Sequence, residues 1–124
     1  MYKIRVKEDF SAAHRIFQRN KCENLHGHNW EVEVCLKAEK LNKDGMIVDF
    51  REVKERLIKV LENLDHKYLN EVLSFSPTSE NIAQYIFKQL EKDFKKRGCW
   101  LSAVSVKENK DVEAIYYERK KDNL

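Results

Sequence analysis

Residues 22–28 carry the side chains with the clearest potential for chemistry. They read Cys-Glu-Asn-Leu-His-Gly-His, so the thiol of Cys22 stands shortly before the imidazoles of His26 and His28. A further histidine, His14, precedes the motif. Three neutral imidazoles are a common ligand set for zinc, and they leave one position of a tetrahedral ion open for water or substrate. The residue types therefore indicate a candidate metal site of the catalytic kind.

Two segments of alternating polarity would position these histidines. Side chains in residues 2–14 and 26–40 alternate with period two, which predicts two strands joined by a polar loop at 15–25. In an antiparallel pair the end of the first strand lies beside the start of the second. We therefore expect His14, His26 and His28 to meet on the apolar face. For any single one of them, a hydrogen-bonded core histidine is the competing interpretation.

The rest of the chain predicts two helices followed by two strands. Asp49 is a candidate cap for the first helix, and Thr78 opens the second with an acid in its first turn. The order ββααββ predicts an α+β fold, with a four-stranded antiparallel sheet and both helices on one face. Open sheet edges invite pairing between subunits. The elements follow in order: a turn at 42–45, a helix over 50–63, a helix exit at 64–70, a loop at 71–77, a helix from 78, and strands over 100–108 and 112–119.

Composition restricts the class of protein. With 124 residues, we expect a single domain over 1–124. The 24 basic and 21 acidic residues leave a net charge of only +3, which gives no argument for nucleic-acid binding. No apolar run is long enough to predict a membrane span, and the N-terminus lacks a signal-peptide core. The three cysteines lack zinc-finger spacing, which favours reduced thiols in a cytoplasmic protein.

Other side chains could take part in chemistry. Cys22 follows Lys21, and positive charge favours the reactive thiolate, although a lone intracellular cysteine is usually inert. Asp65 could orient His66 as a proton donor, or the pair could simply end a helix. Glu108 ends a strand on its more apolar face, where a carboxylate needs donors such as a ring N–H and an amine, unless water solvates it. The basic loop residues Arg15, Arg19 and Lys21 could bind a phosphorylated substrate, or they could simply be solvated.

These motifs together resemble the 6-pyruvoyl-tetrahydropterin synthase family, and most closely its bacterial 6-carboxy-tetrahydropterin synthases of queuosine biosynthesis. They occur in family order across most of the chain. The matching stretches are Phe10-Ser11-Ala12-Ala13-His14, Cys22-x-x-x-His26-Gly27-His28-Asn29, Gly45-Met46-Ile47-Val48-Asp49-Phe50, Leu64-Asp65-His66, Pro77-Thr78-Ser79-Glu80-Asn81 and Val106-Lys107-Glu108.

The resemblance implies a role for each site residue. His14, His26 and His28 would bind Zn²⁺, and Cys22 would abstract a proton in a relay with Asp65 and His66. Glu108 would anchor the pterin ring, with Thr78 and Glu23 also at the substrate. The implied fold is the tunnelling fold, in which ββααββ subunits form trimeric barrels and two trimers form a hexamer with active sites between subunits.

The implied reaction converts 7,8-dihydroneopterin triphosphate to 6-carboxy-5,6,7,8-tetrahydropterin. Two features differ from the expected pattern. Asn109 follows Glu108 where threonine is expected, and Glu23 has the spacing of the glutamate with which some relatives cleave the side chain for folate synthesis. The sequence is therefore also compatible with a 6-pyruvoyl-forming enzyme or with a folate-pathway enzyme of the same family. A non-catalytic pterin-binding module, and a structural zinc site closed by Cys22, are further alternatives.

Overall fold

Two long antiparallel strands form the centre of the fold in the computed structural model, which describes residues 1–18, 21–22, 24–95 and 98–119. The strands are β1 (Tyr2–His14), β2 (Phe17–Gln18), β3 (Lys21–Cys22), β4 (His26–Ala38), β5 (Lys67–Tyr68), β6 (Cys99–Asn109) and β7 (Val112–Tyr117). The helices are α1 (Phe50–Leu61), α2 (Leu69–Val72) and α3 (Ser79–Phe94).

The pairing of β1 with β4 confirms the predicted register. Tyr2 lies opposite Ala38, and His14 lies opposite His26. The main sheet has the order β5-β1-β4-β6-β7, with β6 and β7 forming the antiparallel hairpin expected near the C-terminus. The α+β class is therefore confirmed.

The sheet has five strands, and not the four that the sequence predicted. The fifth, β5, is a two-residue strand that pairs parallel to β1 at Ala12 and Ala13. It lies in the segment predicted as a helix exit, and the short helix α2 follows where a helix exit and loop were predicted. Elements this short carry no detectable periodicity. The predicted loop at 15–25 likewise contains the two-residue ribbon β2–β3.

A bulge in β6 changes which side chains face the helices. Cys35 lies opposite Ala103 while Leu36 lies opposite Leu101, so Ser102 is the extra residue. Its hydroxyl donates to the Cys35 carbonyl oxygen at 3.2 Å. The sequence of 100–108 alternates in polarity and predicts that Trp100 shares the inward face with Glu108. This prediction is wrong before the bulge, where Leu101 and not Trp100 faces the core. Beyond the bulge the predicted alternation holds.

The core lies between the sheet and helices α1 and α3. Both helices begin at the predicted caps, because Asp49 accepts a hydrogen bond from the Arg51 N–H and Thr78 accepts one from the Asn81 N–H. Removal of apolar side chains from water holds these layers together. The helices contribute Val53, Leu57, Leu61, Ile82, Ala83, Ile86, Phe87, Leu90 and Phe94 to this core. Among the described residues, no helix is long and apolar enough to cross a membrane.

Candidate metal centre

The imidazole rings of His14 and His26 are each fixed by a hydrogen bond from the ring nitrogen that points away from the centre of the site. The Nδ1 atom of His14 lies 2.9 Å from the Pro77 carbonyl oxygen, and that of His26 lies 2.9 Å from the Asn24 carbonyl oxygen. A carbonyl oxygen only accepts hydrogen bonds, so each Nδ1 is the donor. In the neutral ring this assignment leaves the Nε2 atom with a free lone pair.

The Nε2 atoms of these two rings point at each other. They lie 2.9 Å apart, and His14 Nε2 is also 2.9 Å from Glu108 Oε1. Two lone pairs and an anion at such distances repel one another unless a cation or a proton lies among them. A backbone carbonyl on the far nitrogen is also the usual support of a metal-binding imidazole. The donor set therefore fits a divalent transition metal.

His28 completes the set of ligand atoms. Its Nε2 lies 3.5 Å from Glu108 Oε1, and one donor atom from each of four residues lies within 4.8 Å of the others. The four residues are His14, His26, His28 and Glu108. The structure thus brings together the three histidines selected from the sequence. Their part in binding Zn²⁺ stays a prediction.

Trp30 forms the apolar floor of this cluster. Its indole is fully buried and donates to the Ala12 carbonyl oxygen at 3.2 Å. Its ring meets the rings of His14 and His28 edge-on, at centroid separations of 4.8 Å and 5.2 Å. The floor restricts the rotation of both imidazoles and lowers the local dielectric constant, which strengthens charge interactions in the site.

Glu108 lies on the predicted inward face of β6, but its surroundings differ from the expectation. Its carboxylate contacts the histidines, where the sequence suggested either a bound ring or water. Val106 is the register partner of Val32, and this brings Glu108 beside the start of β4. Sequence reasoning missed the contact because it depends on the register between β4 and β6, two strands separated by both long helices.

Asp65 and His66 form a pair at the edge of β1. The Asp65 carboxylate is 2.9 Å from His66 Nδ1 and also accepts from the Ser11 backbone N–H at 2.9 Å. The Ser11 hydrogen bond, followed by the one from His66, holds the pKa of Asp65 below its usual value of 3.8, although partial burial opposes the shift. The His66 side chain is 81% exposed. The Asp65 carboxylate is therefore anionic at neutral pH, and the pair is open to solvent in the single chain.

Thr78, which was predicted to bind the substrate, caps helix α3 in the structure. Its hydroxyl oxygen accepts from the Asn81 N–H at 3.1 Å, and the Asn81 side chain donates to the Ser76 carbonyl at 3.0 Å. These bonds fix the turn whose Pro77 carbonyl supports His14. A role at the substrate stays a prediction.

Four residues singled out from the sequence lie wholly or partly outside the described part of the chain. Cys22 belongs to strand β3 by its backbone, but its side chain lies outside the described part of the chain, as does the whole of Glu23. Arg19 and the side chain of Lys21 lie outside it too. Their assigned roles stay predictions.

Asn70 is a site-supporting residue that sequence reasoning missed. Its side-chain amide clamps the backbone of Arg15, accepting from the N–H at 2.8 Å and donating to the carbonyl at 2.7 Å. The clamp fixes the chain where it leaves His14. An asparagine in a polar segment gives no signal of such a long-range contact.

The fold and the cluster define an α+β protein with a candidate three-histidine metal centre on the helix-facing side of its sheet. The chain belongs to the 6-pyruvoyl tetrahydropterin synthase family, whose model matches residues 3–119. The chain also resembles the solved structure of Caenorhabditis elegans 6-pyruvoyl tetrahydropterin synthase, with a TM-score of 0.81 at 27% identity over 95% of this chain and 96% of that one. The predicted tunnelling fold of the subunit is thereby confirmed.

Three further relatives bear names of two other kinds of pterin enzyme. An Archaeoglobus fulgidus protein, named provisionally as a 6-carboxy-5,6,7,8-tetrahydropterin synthase, is 40% identical over 87% of this chain and 89% of its own length. The Synechocystis 6-carboxy-5,6,7,8-tetrahydropterin synthase is 39% identical over 74% and 77%. The dihydroneopterin monophosphate aldolase of Pyrococcus furiosus is 35% identical over 73% and 76%.

Proposed function

We propose that this protein is a zinc-dependent lyase of pterin metabolism. It converts 7,8-dihydroneopterin triphosphate to 6-carboxy-5,6,7,8-tetrahydropterin and releases acetaldehyde and triphosphate, in the queuosine branch. The observation that carries the proposal is the convergence of the three histidine side chains, with the Nε2 atoms of His14 and His26 only 2.9 Å apart. The relatives that bear the 6-carboxy name support the choice of product.

The histidine cluster serves to bind and orient the substrate side chain. A bound Zn²⁺ would polarise the substrate hydroxyls and acidify the neighbouring C–H bond. Trp30 and the Pro77 carbonyl hold His14 in one orientation, so the site is organised before substrate arrives. Glu108 would anchor the pterin ring through the hydrogen bonds its carboxylate can accept, and Thr78 and Glu23 are proposed as further substrate contacts.

Proton transfer is assigned to Cys22, Asp65 and His66. In this mechanism the Cys22 thiolate removes the proton from the substrate, and His66 returns a proton on the other side. The Asp65 carboxylate supports that role, because it bonds to His66 Nδ1 and so orients the ring. Its own lowered pKa keeps it anionic, so it can do so at neutral pH.

The working enzyme is proposed to be a cytoplasmic homohexamer of single-domain subunits, built as a dimer of trimers. The 81% exposure of the His66 side chain supports an active site completed between subunits, since a proton donor works best when water is excluded. Strand β7 forms one edge of the sheet and is available for pairing with a neighbouring subunit.

Product identification tests the proposal directly. The purified protein is incubated with 7,8-dihydroneopterin triphosphate, and the pterin and triphosphate are identified by mass spectrometry. Cys22→Ala should retain zinc and lose turnover by at least about a hundredfold, the scale of a removed acid–base group. Cys35→Ala is the matched control, because Cys35 is a free cysteine on the face of the sheet opposite the histidine cluster. Full turnover in Cys22→Ala contradicts its assigned role.

A second candidate is cleavage of the dihydroneopterin side chain for folate synthesis. The similarity to the Pyrococcus furiosus aldolase favours it, together with the position of Glu23 three residues before His26. In that case Glu23→Ala abolishes the formation of a 6-hydroxymethyl pterin while Cys22→Ala does not. If the protein binds pterin but forms no product from 7,8-dihydroneopterin triphosphate or from dihydroneopterin, it is a binding module. This result would contradict both proposed activities.

A further inference from the structure

The carboxylate of Glu108 lies within the ligand set, although the family resemblance gives it a different task. Its Oε1 atom is 2.9 Å from His14 Nε2 and 3.5 Å from His28 Nε2. The side chain is only 25% exposed, so water does not fully solvate the charge. An anion held this close to imidazole nitrogens needs positive charge between them.

A proton alone does not account for all of these contacts. A proton on His14 Nε2 could be shared with His26 Nε2 or with Glu108 Oε1, since both lie 2.9 Å away. It could not make a short linear hydrogen bond to both at once. A single divalent cation can accept all four donor atoms, which lie within 4.8 Å of one another. Three nitrogens and one carboxylate oxygen are a normal tetrahedral ligand set.

We infer that Glu108 is the fourth metal ligand of the substrate-free protein and leaves the metal when the pterin ring binds. The metal and the ring compete for the same carboxylate. A carboxylate that anchors a ring N–H and an exocyclic amine uses both of its oxygens, so it cannot bind the metal at the same time. The resting site is thus closed by four protein ligands, and substrate binding opens it.

The competition gives Glu108 a positioning role in metal retention as well as in substrate binding. An anionic ligand contributes both a bond and charge neutralisation, whereas the amide of a glutamine keeps the shape and loses the charge. Replacing it should therefore weaken metal binding most strongly in the absence of substrate. The statement that Glu108 leaves the metal to bind the pterin ring rests on the proposed function. The statement that Glu108 binds the metal in the substrate-free protein does not.

The test uses Co²⁺, whose visible absorption reports the number and type of its ligands. Spectra and chelator-competition affinities are recorded for the substrate-free wild type, Glu108→Gln and Glu8→Gln. Glu8 is a matched control because its carboxylate is 24% exposed and paired with Lys54 at 3.5 Å. We expect Glu108→Gln to bind Co²⁺ about 10- to 100-fold more weakly with an altered spectrum, and Glu8→Gln to match the wild type.

Adding neopterin separates the possible outcomes. In the wild type the pterin should shift the cobalt spectrum toward that of substrate-free Glu108→Gln. If Glu108→Gln binds Co²⁺ with wild-type affinity and spectrum, the inference is wrong while the three-histidine centre stands. If the folded wild type binds no stoichiometric Co²⁺, the metal centre of the proposed function fails as well. Circular dichroism of each variant shows that it is folded.

Discussion

The backbones of Ser11 and His66 are joined directly, because the His66 N–H donates to the Ser11 carbonyl oxygen at 2.6 Å. The Ser11 N–H donates in turn to the Asp65 carboxylate. This double connection ties the Asp65–His66 pair to the edge of β1, three residues before His14. It holds His66 with a φ of 58°, a left-handed backbone that costs a non-glycine residue about 1–2 kcal/mol.

We predict from this backbone that His66→Gly is more stable than His66→Ala. Glycine adopts the left-handed region without strain, so the difference should reach about 1 kcal/mol in the free energy of unfolding. Urea denaturation of both variants measures it. Turnover should be lost in both, because each lacks the imidazole. An alanine variant as stable as the glycine variant would mean that the left-handed backbone is not retained.

The lowered pKa of Asp65 predicts a particular pH dependence of stability. A carboxyl group whose pKa is lower in the folded than in the unfolded chain stabilises the fold above its unfolded pKa. That contribution is lost as the pH falls through the lower, folded pKa. The difference in unfolding free energy between wild type and Asp65→Asn should therefore be full at neutral pH and shrink below about pH 4.

Denaturant titrations across the acid range measure this difference. Asp44→Asn, which removes an exposed carboxylate in the turn before α1, is the control for the loss of one negative charge from the surface. A pH-independent difference for Asp65→Asn would show that the hydrogen bonds from Ser11 and His66 do not favour its anionic form.

Metal removal should lower the thermal stability of the protein. A ligand that binds only the folded state at a hundred times its dissociation constant stabilises by about 2.7 kcal/mol, so a chelator should lower the Tm by several degrees. His28→Ala should abolish this difference, because it removes one ligand. His66→Ala removes a histidine outside the cluster and should preserve it. A chelator effect that survives in His28→Ala would contradict the assigned ligand set.

The Thr78 cap should link helix stability to the metal centre. Thr78→Ala removes the acceptor for the Asn81 N–H and should cost about 1 kcal/mol of unfolding free energy, while Thr78→Ser retains the cap. Because the neighbouring Pro77 carbonyl supports His14, metal affinity should also fall in the alanine variant. Calorimetric titration with Zn²⁺ checks this. Equal affinity in both variants would show that the cap does not position His14.

The sequence alone determined the elements that follow a local rule. Alternation of side chains predicted β1 and β4 and their shared apolar face, and the polar turn residues predicted the caps at Asp49 and Thr78. The strands and caps depend on neighbours a few residues apart, where geometry is fixed by the backbone. The meeting of His14 with His26 followed from the antiparallel pairing expected of two consecutive strands, which puts the end of β1 beside the start of β4.

Tertiary structure decided the features that depend on segments far apart in sequence. The bulge at Ser102 and the approach of Glu108 to the histidines required the register between β4 and β6. The short strand β5, the Asn70 clamp and the Ser11–His66 connection each rest on a few long-range hydrogen bonds. No local pattern encodes such contacts, because their geometry exists only after the sheet and helices have packed.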